Sequence, residues 1–284
     1  MPSLRDIKRR ISSVKSTQKI TRAMKMVSAA KLRRAQESIE RARPYAYHLR
    51  DMAARVAERT PGSAHQLLGA PKGDRVALIV LTSDRGLCGG FNATVINEAM
   101  RLLRTDLKDK DVTLTVIGRK GVEALRRRPC TISRTYVRVL DDGRPLRAAT
   151  DIVEDHIQAF LEGEFDEALC LYNEFKSAIS QKLTLERVLP IEQPSQSEVV
   201  VDYLYEPSQE AVLGELLRRN LHVQMHRILL ESAASEYGAR MTAMEAATNN
   251  ASDVIDRLTL AYNRARQTAI TSEVIEIVSG AEAL

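Results

Sequence analysis

The chain has 284 residues, enough for one large domain or two smaller ones, and a hydrophobic content of 44% supports a real core. Aromatic residues make up only 4% and Trp is absent, a composition typical of helical rods and unusual for enzymes with deep aromatic pockets. Residues 1–60 carry 16 Lys and Arg against 5 Asp and Glu, whereas the remainder carries 26 against 32, so the basic N-terminal part predicts an acidic partner: nucleic acid, an anionic lipid surface or an acidic protein loop.

A long helix is predicted over residues 1–59. Ser3 and Asp6 approximate a capping box at its start. Leu4, Ile7, Ile11 and Val14 then follow the three-four spacing of a coiled-coil seam. The pattern next predicts a slip: Gln18 and Thr21 fall on the seam, and an apolar stripe resumes at Ile20, Ala23, Val27 and Ala30, as at a stutter. Residues 60–74 contain the turn-forming residues of a linker.

Strands and helices alternate over residues 75–206. Val76–Ser83 is a continuous apolar run, which predicts a strand buried on both faces. Further strands are predicted in VTLTVIG, TISRTYVRV, EALCLYNEF, KLTLERVLP and SEVVVDYLYE, and helices over Ala93–Leu107, KGVEALRRR and Ala148–Leu161. This alternation predicts a Rossmann-like α/β domain whose sheet has parallel character.

A second long helix is predicted over residues 207–284, since neither Gly nor Pro occurs between Ala239 and Ser279. Apolar or small residues recur in steps of four and three at Leu230, Ala234, Tyr237, Met241, Met244, Thr248, Ala251, Ile255, Leu258, Tyr262 and Ala265. This is the seam of a left-handed coiled coil. At roughly 1.5 Å per residue the helix is a rod on the order of 100 Å long, which needs a partner helix and then other chains to cover it. The two rods bracket the α/β domain and are therefore predicted to pair antiparallel.

The Gly-rich segment SDRGLCGGFN follows a predicted strand, the position in which dinucleotide- and P-loop sites hold phosphate. Its glycines, Gly86, Gly89 and Gly90, match neither G-x-G-x-x-G nor GxxxxGK[ST]. We therefore interpret the segment as a tight structural turn whose Asp84 and Arg85 contact a neighbouring chain. A nucleotide-binding α/β protein with helical arms is kept as the alternative.

Other candidate sites have weaker support. Cys88 lacks a placed His partner for nucleophilic catalysis, and the three cysteines Cys88, Cys130 and Cys170 are interpreted as buried thiols in a reducing compartment. His222 and His226 are spaced i, i+4 like a metal pair, but no carboxylate motif surrounds them, so surface histidines without metal or cofactor are predicted. No run of 18 apolar residues predicts a membrane span, and the charged start lacks the apolar region of a secretory signal. A nucleic-acid-binding rod is disfavoured, because the first 43 residues contain no aromatic.

Three stretches resemble the γ subunit of F-type ATP synthases: STQKITRAMKMVSAAKLRRAQ (Ser16–Gln36), SDRGLCGGFN (Ser83–Asn92) and the tail from Ala239 to Leu284. The inserted cysteine pair of chloroplast members is absent, which favours a bacterial-type protein. The resemblance implies a central rotor stalk. Its terminal helices would form an antiparallel coiled coil inside a hexamer of α and β subunits, and its α/β domain would meet the ε subunit and the c-subunit ring. Rotation would link proton flow to ATP synthesis or hydrolysis on the β subunits.

The same resemblance implies that the chain is not catalytic by itself, binds no cofactor and no nucleic acid, and meets the membrane only through the complex, at the cytoplasmic face of the bacterial plasma membrane. Residues expected near acidic β-subunit loops are Met24, Lys25, Lys31, Arg33 and Arg34. Those expected at a β-subunit catch are Arg266, Gln267 and Thr271, and those expected in an apolar bearing at the tip are Val274, Ile277, Val278 and Leu284.

Overall fold

The structure is a computed structural model that describes residues 3–58, 65–139, 145–192, 206 and 208–282. In chain order its elements are α1 (Leu4–Glu58), β1 (Arg75–Leu81), α2 (Phe91–Arg104), β2 (Asp111–Ile117), α3 (Arg119–Leu125), β3 (Thr131–Tyr136), α4 (Pro145–Leu161), β4 (Glu167–Phe175), β5 (Gln181–Leu189) and α5 (Gln209–Glu282). Two compact units are present: one combines residues up to Ser28 with those from Arg240 onward, and the other is Ala29–Ala239. Long terminal helices therefore bracket an α/β domain, as predicted, while the limits 1–59, 60–74, 75–206 and 207–284 stay predictions.

The five strands form one sheet in the order β3-β2-β1-β4-β5. β1 pairs in parallel with β2 and β4, and β2 in parallel with β3, which confirms the predicted parallel character. β5 instead pairs antiparallel with β4, because the short connection 176–180 is too brief for the crossover that parallel strands need. The last predicted strand, SEVVVDYLYE, lies outside the described residues apart from Glu206.

β1 is buried on both faces, as its continuous apolar run predicts. Ala77, Ile79 and Leu81 face one core cluster together with α4, whereas Val76, Leu78 and Val80 face a second cluster together with α2 and α3. The first cluster also contains Leu213, Leu217, Leu221, Met225, Ile228 and Leu229 of α5. The first part of α5 is therefore a core helix of the α/β domain and not only part of the coiled-coil rod.

The predicted capping box begins α1. The Asp6 amide donates to Ser3 Oγ over 3.2 Å, and the Ser3 amide donates to Asp6 Oδ2 over 3.3 Å. Reciprocal bonds of this kind satisfy backbone donors that the first turn of a helix otherwise leaves unpaired.

The predicted slip of the α1 seam is wrong. The proposed apolar stripe is exposed throughout, at Ile20, Ala23, Val27 and Ala30. Ile20 and Val27 are 60% and 57% exposed, whereas the adjacent residues Thr21 and Ser28 are buried. The seam keeps its three-four spacing because a polar residue in it finds a partner: the Thr21 hydroxyl lies 2.8 Å from the Thr248 hydroxyl.

The seam of α5 is confirmed, since each of its predicted positions from Leu230 to Ala265 is buried or half-buried. Two contacts give the direction of the pairing. Thr21 meets Thr248, and Lys25 Nζ lies 2.5 Å from Glu245 Oε1. A step up α1 is thus a step down α5, so the helices run antiparallel as predicted. None of the described helices is long and apolar enough to cross a membrane.

Candidate functional site

A basic, acid-free surface covers much of α1. Ten Lys and Arg, and neither Asp nor Glu, occur between Asp6 and Glu37. All but Lys25 are exposed. Lys25 is half-buried against Glu245, in an ion pair whose side chains are 38% and 49% exposed. A pair so open to solvent contributes about 0–1 kcal/mol, so it leaves Lys25 free to exchange partners. Met24 beside it is half-buried.

An apolar stripe runs along the same surface. The sequence pattern had placed two of its residues, Ile20 and Val27, in the seam and did not single out Met26. Ile20, Met26 and Val27 are 57–62% exposed on the outside of the coil. Exposed aliphatic side chains grouped on one helix face mark interaction surfaces. Because every charged residue of α1 between Asp6 and Glu37 is positive, this face suits a partner that combines apolar and acidic side chains. Reading the three-four spacing straight through Gln18 and Thr21 would have found it.

The predicted contact residues farther along α1 belong to the Ala29–Ala239 unit and make only weak contacts within the chain. The Lys31 ammonium lies 5.5 Å from the centre of the Tyr237 ring of α5, a cation–π contact. Arg33 pairs with Glu37 over 3.0 Å with an 84% exposed side chain, and Arg34 is exposed. Such contacts are weak enough to be replaced by those of a partner.

The end of α5 has no partner segment in the described part of α1. The pairing of Thr21 with Thr248 places Leu4, the first residue of α1, near Ala265. The predicted catch residues Arg266, Gln267 and Thr271 all lie beyond that point and are exposed.

The predicted tip residues continue this bare helix. Val274, Ile277 and Val278 are each more than half exposed, with Ile277 reaching 71%, and Leu284 lies outside the described residues. Ile270 and Ile275, which the sequence analysis did not name, are exposed in the same segment. Exposed apolar side chains grouped at one helix end mark an interaction surface.

The Gly-rich turn after β1 is built around Asp84. Its Oδ1 accepts a hydrogen bond from the Arg119 amide and its Oδ2 one from the Arg138 amide, each over 3.0 Å. The carboxylate thereby ties together the loops that follow β1, β2 and β3. Arg85 is exposed. The predicted contact of Asp84 and Arg85 with a neighbouring chain stays a prediction, beside this intramolecular role.

Ser83 and Asn92 brace the inside of the same turn. The Ser83 amide donates to Asn92 Oδ1 over 2.9 Å, and Asn92 Nδ2 lies 3.3 Å from the Cys88 sulfur. Leu87, at φ 63°, is held outward and is 64% exposed. Cys88 therefore lies beside a hydroxyl and an amide: its sulfur is 3.7 Å from Ser83 Oγ and 3.3 Å from Asn92 Nδ2.

The histidines and the remaining cysteines are structural too. His222 Nε2 lies 2.7 Å from Glu154 Oε1, which joins α5 to α4, and burial lowers the pKa of His226. Both histidines are half-buried, so the prediction that they lie on the surface is wrong. Cys170 is buried as predicted, whereas Cys130 is only half-buried. Among the described residues no group of three or more His, Cys, Asp or Glu side chains is placed to hold a metal.

Comparison with known proteins gives consistent matches along the whole chain. The family model described as ATP synthase matches residues 3–284. The ATP synthase gamma chain of Geobacter metallireducens is 47% identical over 287 residues, covering 100% of this chain and 99% of that protein. The ATP synthase gamma chain of an Anaeromyxobacter strain is 50% identical over 291 residues, covering 100% of both. A chain of the Tetrahymena thermophila mitochondrial ATP synthase central stalk and c-ring is similar in structure, with a TM-score of 0.61, 26% identity, and coverage of 80% of this chain and 99% of that chain.

Proposed function

The chain belongs to the ATP synthase gamma-chain family, and on that premise we propose that it is the central rotor stalk, which links proton flow through the membrane sector to conformational cycling of the catalytic β subunits. Its coiled coil turns inside the hexamer of α and β subunits. Its α/β domain binds the ε subunit and the c-subunit ring. ATP is made or hydrolysed on the β subunits, and this chain contributes no catalytic group and holds no nucleotide.

The observation that carries the proposal is the bare apolar end of α5. Beyond Ala265 the helix has no described α1 segment beside it, yet it presents Ile270, Val274 and Ile277 to solvent. In an isolated protein such a surface favours aggregation. A sleeve of partner subunits around the tip removes it from water. An apolar bearing also forms few directional bonds, so it permits rotation.

The rest of the coil fits the mechanical task. A buried seam between two antiparallel helices resists twisting, because rotation of one helix against the other would expose apolar area. The outer surface instead carries exposed cations such as Arg33 and Arg34, whose individual ion pairs contribute about 0–1 kcal/mol. Contacts of that size with acidic β-subunit loops are released and remade as the stalk passes each of them.

The chain contacts the membrane only through the complex, as a peripheral subunit at the cytoplasmic face. Among the residues that the structure describes, the contacts after β1 do not favour the nucleotide-binding alternative. The loops at the carboxyl ends of the strands, where α/β proteins bind nucleotides, are occupied by the Asp84 carboxylate and its backbone donors. A negative charge at this position repels a phosphate.

Purification from native cells tests the proposal. An affinity tag on the full chain is expected to recover, from membranes, a complex that contains α, β and ε subunits and hydrolyses ATP. An untagged strain processed in parallel controls for carry-over. Recovery of the chain alone, or of nucleic acid in place of the subunits, would contradict the proposal, and micromolar binding of ATP to the free chain in calorimetry would favour the alternative.

A further inference from the structure

A polar cluster joins α5 to the sheet inside the Ala29–Ala239 unit. Arg227 of α5 donates to Glu186 of β5 (Nη2 to Oε1, 2.5 Å) and to the hydroxyl of Tyr172 of β4 (3.1 Å). Gln224 donates to the same Glu186 oxygen over 2.8 Å, and Tyr172 donates to the other over 2.8 Å. Both Glu231 oxygens lie 3.3 Å from Arg227 Nη1. We refer to these five residues as the Arg227 cluster.

The cluster is partly removed from water: the side chains of Arg227 and Glu186 are 30% and 27% exposed, and the other members are more buried or half-buried. It combines two carboxylates with one guanidinium. Tyr172 is 1% exposed, and the side chain of Glu231 is 10% exposed. Burial raises the pKa of Glu231, against the opposing pull of Arg227. Burial acts to raise the pKa of Glu186 as well, but Arg227 and the donors around it outweigh burial and hold that pKa below its usual range. The Arg227–Glu186 pair is therefore charged, and both Glu186 oxygens have fixed donors.

Attachment of α5 to the sheet does not depend on these charges. Leu217, Leu221 and Ile228 already pack α5 into the core of the α/β domain. This packing opposes rotation of α5 about its own axis, because rotation would expose apolar area, but it forms no bond whose strength depends on angle. Hydrogen bonds depend on angle as well as distance. A half-buried ion pair adds little net stability, so the distinctive contribution of this one is orientation.

A second set of directional contacts lies farther along α5. The buried Ser235 hydroxyl donates to the Asn173 carbonyl of β4 over 2.9 Å. Asn173 Nδ2 in turn reaches the Phe91 carbonyl over 3.4 Å. At Gly238 the helix backbone approaches the β4–β5 connection so closely that an added methyl group would lie 3.0 Å from the Ala178 carbonyl oxygen. Residues 224–238, about four helical turns, are thus fixed in rotation at both ends against the same strand pair.

We propose that the Arg227 cluster is the joint that transmits torque between the α/β domain and the shaft helix, with Arg227 as its positioning residue. The inference rests on the proposed rotor function, in which torque from the membrane ring enters at the α/β domain. Without the cluster, apolar packing alone would oppose rotation of α5 against the sheet. With Arg227 bonded to two strands at once, rotation of the sheet is passed to α5.

The test uses the complete ATP synthase reconstituted in vesicles, with ATP hydrolysis and ATP-driven proton pumping measured on the same preparation. Arg227→Met keeps the aliphatic stem and removes the bonds. Arg219→Met is the matched control, because Arg219 lies on the same helix in an exposed pair with Glu215, each side chain 59% exposed. We expect Arg227→Met to lower the protons pumped per ATP hydrolysed at least two-fold, and Arg219→Met to leave this ratio at the wild-type value.

The ratio separates a torque joint from a merely structural residue, since a variant that folds or assembles poorly loses both activities in parallel and keeps its ratio. A wild-type ratio in assembled Arg227→Met would overturn the inference while leaving the rotor function intact. If Arg227→Met yields no complex, the milder pair Tyr172→Phe with Ser235→Ala is measured instead, and a wild-type ratio there overturns the inference equally. Failure of the wild-type chain itself to support pumping would instead count against the proposed function.

Discussion

The Ile255→Asp substitution tests the coiled-coil seam that α1 and α5, the two terminal helices, form together. Ile255 is half-buried on α5, one heptad beyond Thr248, and the antiparallel register places it near Val14 of α1. Full burial of an Ile side chain contributes about 1.5–3 kcal/mol, so loss of a half-buried one costs about 1 kcal/mol. Placing a carboxylate in the seam without a hydrogen-bond donor beside it adds a further destabilisation of roughly 1–2 kcal/mol. We therefore expect a total of about 2–3 kcal/mol.

Hydrogen exchange read by mass spectrometry measures this cost locally, which matters because the two compact units need not unfold together. A loss of about 2–3 kcal/mol corresponds to roughly 30- to 150-fold faster exchange of the α5 amides around residue 255. Leu260→Asp is the matched control: Leu260 is 61% exposed on the same helix, so its replacement should change exchange less than about three-fold. Equal acceleration by both variants, or none by Ile255→Asp, would refute the seam assignment.

Two further predictions concern buried polar groups. Thr21→Val should destabilise the coil by about 1 kcal/mol because it removes the hydrogen-bond partner of Thr248, whereas the double variant with Thr248→Val should be close to wild type. A double-mutant cycle measured by hydrogen exchange gives the coupling free energy between the two residues, and a value of zero would contradict the hydrogen bond. Burial lowers the pKa of His156, whose Nδ1 lies 2.6 Å from the Ile152 carbonyl and whose Nε2 lies 3.0 Å from the Thr115 hydroxyl. Below the ordinary pKa of 6.5, the unfolded chain therefore binds more protons than the folded chain. The contribution of neutral His156 to the free energy of unfolding should be fully present above pH 6.5 and should be lost as the pH falls toward the lowered pKa of the folded state. His156→Gln should flatten this part of the urea-unfolding profile between pH 7 and 5, and an unchanged slope would contradict the assignment.

The spacing of apolar residues and the length of unbroken apolar runs predicted most of the fold. The three-four spacing from Leu230 to Ala265 predicts the buried face of α5, and the unbroken apolar run of β1 predicts a strand covered on both sides. The slip in α1 was predicted because polarity was given more weight than spacing. Thr21 occupies the seam only because Thr248, far away in the sequence, supplies its partner. A single sequence does not display that pairing.

The other features that the sequence did not predict are contacts between residues far apart in the chain. Asp84 organises backbone donors at Arg119 and Arg138, which only the parallel sheet brings to one edge. Arg227 and Glu186 lie on different elements, and nothing in their own segments indicates that they form an ion pair. The tip residues of α5 were named from the family resemblance, and their bearing role stays a prediction, while the exposure of this helix end follows from the register of the coil.

A reversible cross-link tests most directly whether the chain turns against its partners. Met26 is the position of choice, because its side chain is 62% exposed on the acid-free surface of α1. In a Cys130→Ser background, which removes the one half-buried native thiol, Met26→Cys is joined by a disulfide to a cysteine placed in an acidic β-subunit loop. A rotor predicts that steady-state ATP hydrolysis by the complex stops when the bond forms and returns when it is reduced, while either single-cysteine complex stays active under oxidation. Undiminished multi-turn hydrolysis with the disulfide verified as intact would contradict rotation of this chain within its partners.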